Sequence, residues 1–328
     1  MFKIALFGAG RIGQIHAANV ANHSDSELYS IVDPFGDNAE IMAKKYGAKI
    51  QTAHEAFADE EVDAIVIASA TDTHADLIER GAKAGKAVFC EKPIHLDIEC
   101  VRNCLKVVDD HKVPLLVAFN RRYDPQFKKV RDMFASGAIG KAETLVITSR
   151  DPSPPPASYV KVSGGMFRDM MIHDLDMARY IIGEDPISIY AQGSCLVDPE
   201  IGEAGDIDTG FVVMKFASGA IAAITNSRRS GYGYDQRLEL HGEKGLLKAD
   251  NILEDAVQLW SEPGCVGAKP EHFFLQRYAA AYKAEWDHFT QVMAGKVPAM
   301  STGDDGLKAL YLADKAGESL KLGKEVML

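Results

Sequence analysis

Two short segments carry side chains suited to taking a proton from an alcohol. The first, Gly164-Gly165-Met166-Phe167-Arg168-Asp169-Met170-Met171-Ile172-His173-Asp174-Leu175-Asp176, sets Asp169 and His173 four residues apart. On a helix that spacing places both on one face. A carboxylate there orients the imidazole and stabilises its cation, leaving the other ring nitrogen to act as a base. Asp176 shares the face, while Asp174 points away. The second segment, Ala87-Val88-Phe89-Cys90-Glu91-Lys92-Pro93, ends an apolar run on a Glu and a Lys. A proline disfavours helical backbone in the residue before it, so Lys92 is held extended and its ammonium is aimed. An ammonium beside a reacting oxygen stabilises developing negative charge. The same residues also fit a solvated loop lysine, a surface ion pair or a pair of metal ligands. No third metal ligand accompanies the pair, so no metal site is expected, and the apolar neighbours of Asp169 and His173 argue against a purely solvated face.

A third segment addresses phosphate. Gly8-Ala9-Gly10-Arg11-Ile12-Gly13 follows an apolar run at 3–7 and opens a helical pattern at about 11–21. Glycines at this spacing serve a tight turn, backbone approach to a pyrophosphate, and close helix–sheet packing. The free N–H groups of the helix start then face the phosphates. Asp33 ends the second apolar run, twenty residues beyond Gly13, where a carboxylate accepts both ribose hydroxyls. That carboxylate repels a 2′-phosphate, and no Arg or Lys follows at 34–38. The expected cofactor is NAD, with Arg11 facing a phosphate.

The elements that must position these residues follow from the hydrophobic pattern. Apolar runs at 3–7, 28–32, 64–68, 87–90 and 115–119 alternate with helical patterns at about 11–21, 37–46, 73–84 and 97–110. Uniformly apolar strands are those covered on both faces, as in a parallel sheet with crossover helices. Thr73-His74-Ala75-Asp76 has the spacing of a capping box opening the third helix. After Phe119 the pattern changes to a helix at about 125–135, a strand at 143–149, a proline-rich loop from Asp151 and a helix at about 169–182. Strands at 188–195, 209–216, 220–226, 238–241 and 245–249 follow, joined by turn signals at 217–219 and 242–245. Helices at about 276–294 and 304–321 end the chain. The fold class is therefore α/β: a Rossmann dinucleotide-binding domain over 1–120, then an α+β domain over 121–328 with a large, open, mostly antiparallel sheet. The last helix is placed to pack back on the first domain.

Composition excludes several function classes. The 328 residues carry 36 Lys and Arg against 47 Asp and Glu, a formal charge of −11. With no basic stripe, nucleic acid is not an expected partner. No apolar stretch is long enough to span a bilayer, and the N-terminal run is too short for a signal peptide. The five cysteines form no CxxC pair, and Cys100 and Cys104 share a helix face as small apolar residues. A reduced, cytoplasmic protein with no membrane partner is expected.

Together these segments resemble the Gfo/Idh/MocA family of sugar and polyol oxidoreductases. The resemblance rests on Gly8–Gly13, Thr71-Asp72-Thr73-His74, Glu91-Lys92-Pro93 and the Gly-Gly-x3-Asp-x3-His segment, and runs on through Tyr232–Arg237 and Gly242-Glu243-Lys244-Gly245. Within the family the chain is most similar to enzymes that oxidise inositol, through Asn120–Asp124, Ser149–Pro152 and Tyr232–Asp235. The resemblance implies catalytic roles for Lys92, Asp169 and His173. It implies cofactor contacts at Gly8, Ala9, Gly10, Arg11, Ile12, Gly13, Asp33, Ser69, Thr71, His74, Glu91 and Lys92. It places Arg121, Asp151 and Tyr234, with Lys92, Asp169 and His173, around a polyol. Asp151 stands where some relatives carry Asn, which leaves the stereoisomer open. The resemblance also implies a homotetramer formed through the open face of the second sheet, which would otherwise leave apolar area in water. The implied reaction is NAD-dependent oxidation of a ring secondary alcohol, as in myo-inositol to its 2-ketone. Another cyclitol, an aldose, or a non-catalytic dinucleotide or sugar sensor are the alternatives.

Overall fold

A computed structural model describes residues 1–328. The chain divides into two compact units, Met1–Tyr123 with Ala281–Leu310, and Asp124–Ala280 with Tyr311–Leu328. The sequence puts the break near residue 120. Packing returns Ala281–Leu310, including the first part of the last helix, to the first unit.

The first unit is built on six strands: β1 (Phe2–Phe7), β2 (Ser26–Val32), β3 (Lys49–Ile50), β4 (Ala64–Ile67), β5 (Ala87–Glu91) and β6 (Leu115–Ala118). They lie in the order β3-β2-β1-β4-β5-β6, all parallel. This is the strand order of a dinucleotide-binding Rossmann sheet, whose crevice opens where the order reverses between β1 and β4. The middle strands are apolar throughout because helices cover both faces, and β4 is buried at every position. The helix Ala279–Met293 adds a late layer, with Trp286 and Phe289 packed edgewise on Phe89 of β5 at ring distances of 5.9 and 5.5 Å. The Trp286 indole N–H donates to Ser26 Oγ at 3.0 Å, so the ring is buried without an orphaned donor.

One local expectation is corrected here. The helix that follows β4 begins at Thr71 behind Ala70, which gives no side-chain cap, so Thr73–Asp76 does not open it. Thr73 Oγ1 instead bonds the Ala70 carbonyl at 2.7 Å. The capping box is at Thr52 and Glu55, opening a short helix, Ala53–Ala58, that the hydrophobic pattern does not reveal. Cys104 is fully buried, as its helix position suggests, and burial pushes its thiol up to about 12.

The second unit is built on β7 (Ala142–Arg150), β8 (Pro186–Ser194), β9 (Thr209–Phe216), β10 (Ile221–Ser227), β11 (Asp235–Gly242) and β12 (Gly245–Ala249), with β13 (Gln258–Ser261) and β14 (Gly264–Gly267) in a separate exposed hairpin. The terminal strand β15 (Val326–Met327) joins the main sheet, whose order is β12-β11-β7-β10-β9-β8-β15. All its pairs are antiparallel except β7 with β10. Burial alternates along β9 and β10, the mark of a sheet covered on one face. The helix Ile172–Ile182 supplies that cover, and Asp174 on it accepts from the Asn226 amide of β10 at 3.0 Å. On the other face Val146, Phe211 and Ile221 stay exposed.

Candidate active site

In the first unit the glycine turn is shaped as the spacing demands. Gly8 has a φ of 98°, and a Cβ there would stand 2.5 Å from the Ala68 carbonyl oxygen at the end of β4. A Cβ on Gly13 would run into the Gly8 carbonyl, so only glycine lets the helix Arg11–Asn22 seat so close to the turn. Gly10 differs: a Cβ there would meet nothing within 4 Å. Its helix has neither a side-chain cap nor an acidic residue in its first turn. A helix start without a side-chain cap and with open space beside Gly10 suits a pyrophosphate. Asp33 binds the turn directly, its Oδ2 accepting from Ala9 N–H at 2.6 Å and its Oδ1 from Phe35 N–H at 2.9 Å. These residues fit a dinucleotide.

The neighbouring turns are braced by their own side chains. Ser69 Oγ pairs with Thr73 Oγ1 at 2.6 Å, and Thr71 is the first residue of its helix. His74 is almost fully buried, with Nδ1 2.8 Å from the Pro93 carbonyl and Nε2 3.1 Å from the Ser69 carbonyl. Burial lowers its pKa against the pull of those two carbonyls. Its ring therefore ties the turn after β4 to the Glu91-Lys92-Pro93 segment rather than offering a free edge to a ligand. The Lys92–Pro93 bond is cis, and Lys92 leaves the carboxyl end of β5. Glu91 is also engaged from below, by His16 Nε2 at 2.8 Å. Arg121 is buried in a 3-10 turn, Asn120–Tyr123, so by its packing it belongs to the first unit.

In the second unit Asp169 does not sit on a regular helix. A π-helical turn, Met166–Met171, precedes the helix Ile172–Ile182, so Asp169 and His173 straddle the junction of the two. Single π turns of this kind recur at functional sites. Gly164 and Gly165 bring the chain in with φ of 90° and 75°, and a Cβ on Gly165 would stand 2.7 Å from the Asp206 carboxylate. That carboxylate accepts from Met166 N–H at 2.9 Å, fixing the start of the turn. The glycine pair is thus required by geometry. Of the two later carboxylates, Asp174 and Asp176 are both buried, and Asp176 lies 3.8 Å from Arg179.

Asp169 receives two donors that spacing does not announce. Tyr159 O–H donates to its Oδ1 at 3.1 Å, and Arg228 Nη2 to its Oδ2 at 3.3 Å. The other arm of Arg228 lies 3.5 Å from Asp151 Oδ2, which brings Asp151 and Asp169 together on one guanidinium. Burial, with the Asp169 charge added, raises the Tyr159 phenol well above its ordinary pKa, so it stays a donor. Burial likewise raises the Asp206 carboxyl against the pull of its N–H donors. Tyr234 is buried, its ring edge-on to Phe273 and Tyr278 at 6.0 Å each.

Residues 2–119 match the oxidoreductase family with an NAD-binding Rossmann fold, and residues 127–248 match the Gfo/Idh/MocA C-terminal domain. The chain is 47% identical over 326 residues to an inositol 2-dehydrogenase of Rhizobium meliloti, covering 99% of both chains. The chain belongs to the Gfo/Idh/MocA oxidoreductase family. A myo-inositol 2-dehydrogenase of Thermotoga maritima is 46% identical over 329 residues, covering 99% of this chain and 98% of the other. A crystal structure of scyllo-inositol dehydrogenase from Lactobacillus casei, with NAD(H) and scyllo-inositol bound, matches with a TM-score of 0.92 at 28% identity, covering 100% and 99% of the two chains. Membership accounts for both halves of the fold, and NAD is the cofactor of the Rossmann domain. No helix is long and apolar enough to cross a membrane.

Proposed function

We propose that this Gfo/Idh/MocA oxidoreductase oxidises a ring secondary alcohol of an inositol, with myo-inositol to its 2-ketone as the leading reaction. The observation that carries this reading is the setting of Asp169. It is ion-paired to Arg228 and hydrogen-bonded to Tyr159, and it leads into the helix turn that bears His173. The inositol activity of relatives alike over nearly the whole chain supports the substrate class.

NAD, when bound, supplies the hydride acceptor. Gly8 to Gly13 and Asp33 would hold its pyrophosphate and ribose, with Arg11, Ser69, Thr71 and Glu91 completing the contacts. His173 takes the hydroxyl proton as general base, and Asp169 orients its ring and offsets the imidazolium charge. Lys92 donates to the reacting oxygen and stabilises the alkoxide as it forms. Proton transfer and charge stabilisation of this kind each contribute roughly 10²–10⁴-fold. A neutral polyol needs many donors and acceptors rather than a cationic clamp, and Arg121, Asp151 and Tyr234 are assigned to its remaining hydroxyls.

A homotetramer is part of the proposal. The exposed Val146, Phe211 and Ile221 lie on the uncovered face of the large sheet, and a second copy would remove that apolar area from water. Light scattering after size exclusion tests it. All five cysteines are free thiols, as suits a reducing compartment, and we place the enzyme in the cytoplasm, in inositol breakdown.

The deciding assay follows NADH absorbance with NAD and myo-inositol, scyllo-inositol, D-chiro-inositol, D-glucose or D-xylose, and repeats the panel with NADP. Turnover of an inositol with NAD is expected. Turnover of an aldose alone would overturn the substrate and keep the chemistry. Silence across the panel with NAD bound would favour a sensor.

A further inference from the structure

Arg228 stands outside every motif, yet its guanidinium joins two carboxylates assigned to the reaction. Its placement is a product of sheet topology. β7 and β10 run parallel, with Arg150 opposite Ser227, so Asp151 and Arg228 leave the same end of two neighbouring strands. Asp151 N–H donates to the Ser227 carbonyl at 3.0 Å, and Arg228 N–H to the Asp208 carbonyl at 2.8 Å, which fixes both backbones. The Arg228 side chain is 4% exposed. From there its two arms reach Asp151 Oδ2 at 3.5 Å and Asp169 Oδ2 at 3.3 Å.

Charged and titratable groups surround Asp169 from several elements. Tyr159 comes from the helix Ala157–Ser163, Asp151 and Arg228 from the strand ends, and Asp206 from the chain before β9. On Asp169's own segment, Arg168 is drawn to Asp314, Asp174 to Asn226, and Asp176 lies by Arg179. Two carboxylates, Asp151 and Asp169, thus share one guanidinium, and the Asp206 carboxyl feels the charges of both Arg228 and Asp169. A shared cation offsets the repulsion between neighbouring carboxylates.

We infer that Arg228 is a positioning residue of the reaction: by dividing its guanidinium between Asp169 and Asp151 it aims Asp169 and sets the strength of His173 as a base. This rests on the reading of His173 as the base and Asp169 as its orienting group. Removing the Arg228 charge leaves His173 in a more negative setting, which holds its proton more tightly. Removing the Asp151 charge does the reverse.

The test compares the pH profile of kcat/KM for NAD-dependent inositol oxidation in wild type, Arg228→Gln, Arg228→Lys and Asp151→Asn. The acidic limb, where the base loses its proton, is expected to move up by about half a pH unit or more in Arg228→Gln and down in Asp151→Asn. Arg228→Gln should also lower kcat roughly tenfold or more, while Arg228→Lys restores the limb without the full rate. A purely structural role would lower kcat and leave both limbs where they are, and that result overturns the inference. Equal movement of the two limbs in one direction overturns it as well. If Arg228→Gln fails to fold by circular dichroism, the opposite shift in Asp151→Asn with an unmoved Arg228→Lys limb decides the matter. His173→Ala separates the two proposals: turnover that survives in it sinks the base assignment, whereas a dead His173→Ala beside unmoved limbs sinks only the role of Arg228.

Discussion

His16 Nε2 lies 2.8 Å from Glu91 Oε1, inside the first unit and directly before Lys92. The His16 ring is fully buried, edge-on to Phe89 at 4.9 Å and to Tyr282 at 5.9 Å. Close to Glu91 is a third polar side chain, Glu285, which is completely buried with neither carboxyl oxygen hydrogen-bonded. Burial, with the Glu91 charge added, raises its pKa well above the carboxylate range. A fully buried carboxyl without a hydrogen-bond partner is far less costly neutral than charged, so this setting favours the protonated form of Glu285.

Glu285 makes stability depend on pH. An exposed Glu titrates near 4.3, so unfolding above that pH releases the proton that the native state keeps. The native state then binds more protons than the unfolded one, and stability falls as pH rises, by about 1.4 kcal/mol per unit while only the native form stays protonated. Glu285→Gln cannot titrate. Its melting temperature relative to wild type is expected to improve as pH rises above the unfolded value near 4.3, until the buried carboxyl itself ionises, and melting curves that stay parallel above pH 5 would contradict the raised pKa.

Asp305 behaves in the opposite sense. Burial opposes its ionisation, but the Arg122 guanidinium at 2.8 Å and the Thr302 N–H and O–H outweigh it and hold the carboxyl down at about 2. A depressed pKa contributes stability that is complete above the unfolded value near 3.9 and is lost as pH falls toward 2. Asp305→Asn is expected to cost about 2 kcal/mol near neutral pH, with the gap to wild type closing between about pH 4 and pH 2. Chemical denaturation at pH 7, 4 and 2.5 measures it.

The catalytic assignment is tested by Lys92→Ala and His173→Ala. Each is expected to lower kcat by roughly 10²–10⁴-fold while NAD binding, read by quenching of tryptophan fluorescence, stays within about threefold of wild type. Near-normal turnover in both variants would remove these residues from the chemistry.

The proposed role of Asp33 in cofactor choice is tested by substitution. Hydrogen bonds to a charged group are worth about 1.5–3 kcal/mol, so Asp33→Ser is expected to raise the KM for NAD by about tenfold or more. Loss of the carboxylate also lifts the repulsion of a 2′-phosphate, and the preference for NAD over NADP should narrow. An unchanged ratio of the two specificity constants would place the discrimination elsewhere.

The first unit was readable because its signals are local. An all-apolar strand, a glycine turn and a carboxylate at the next strand end are each written within a few consecutive residues, and a parallel sheet has few ways to arrange them. The Asp169–His173 spacing is legible for the same reason, although it suggests a plain helix. The π turn under Asp169 follows from Gly164, Gly165 and the Asp206 carboxylate, and the last of these comes from another part of the chain. The exposed hairpin of β13 and β14 escaped because none of its eight strand residues is buried, which leaves no hydrophobic alternation to find.

Sequence alone therefore determined the order of elements, the glycine turn and the family, and it supplied the candidates for the chemistry. Tertiary structure decided which charges meet. Arg228 lies 59 residues from Asp169 and 77 from Asp151, Glu285 far along the chain from Glu91, and Asp305 from Arg122. No periodicity links such residues. They become neighbours only when strands pair and helices pack, and burial then lowers the dielectric enough for one charge to govern another.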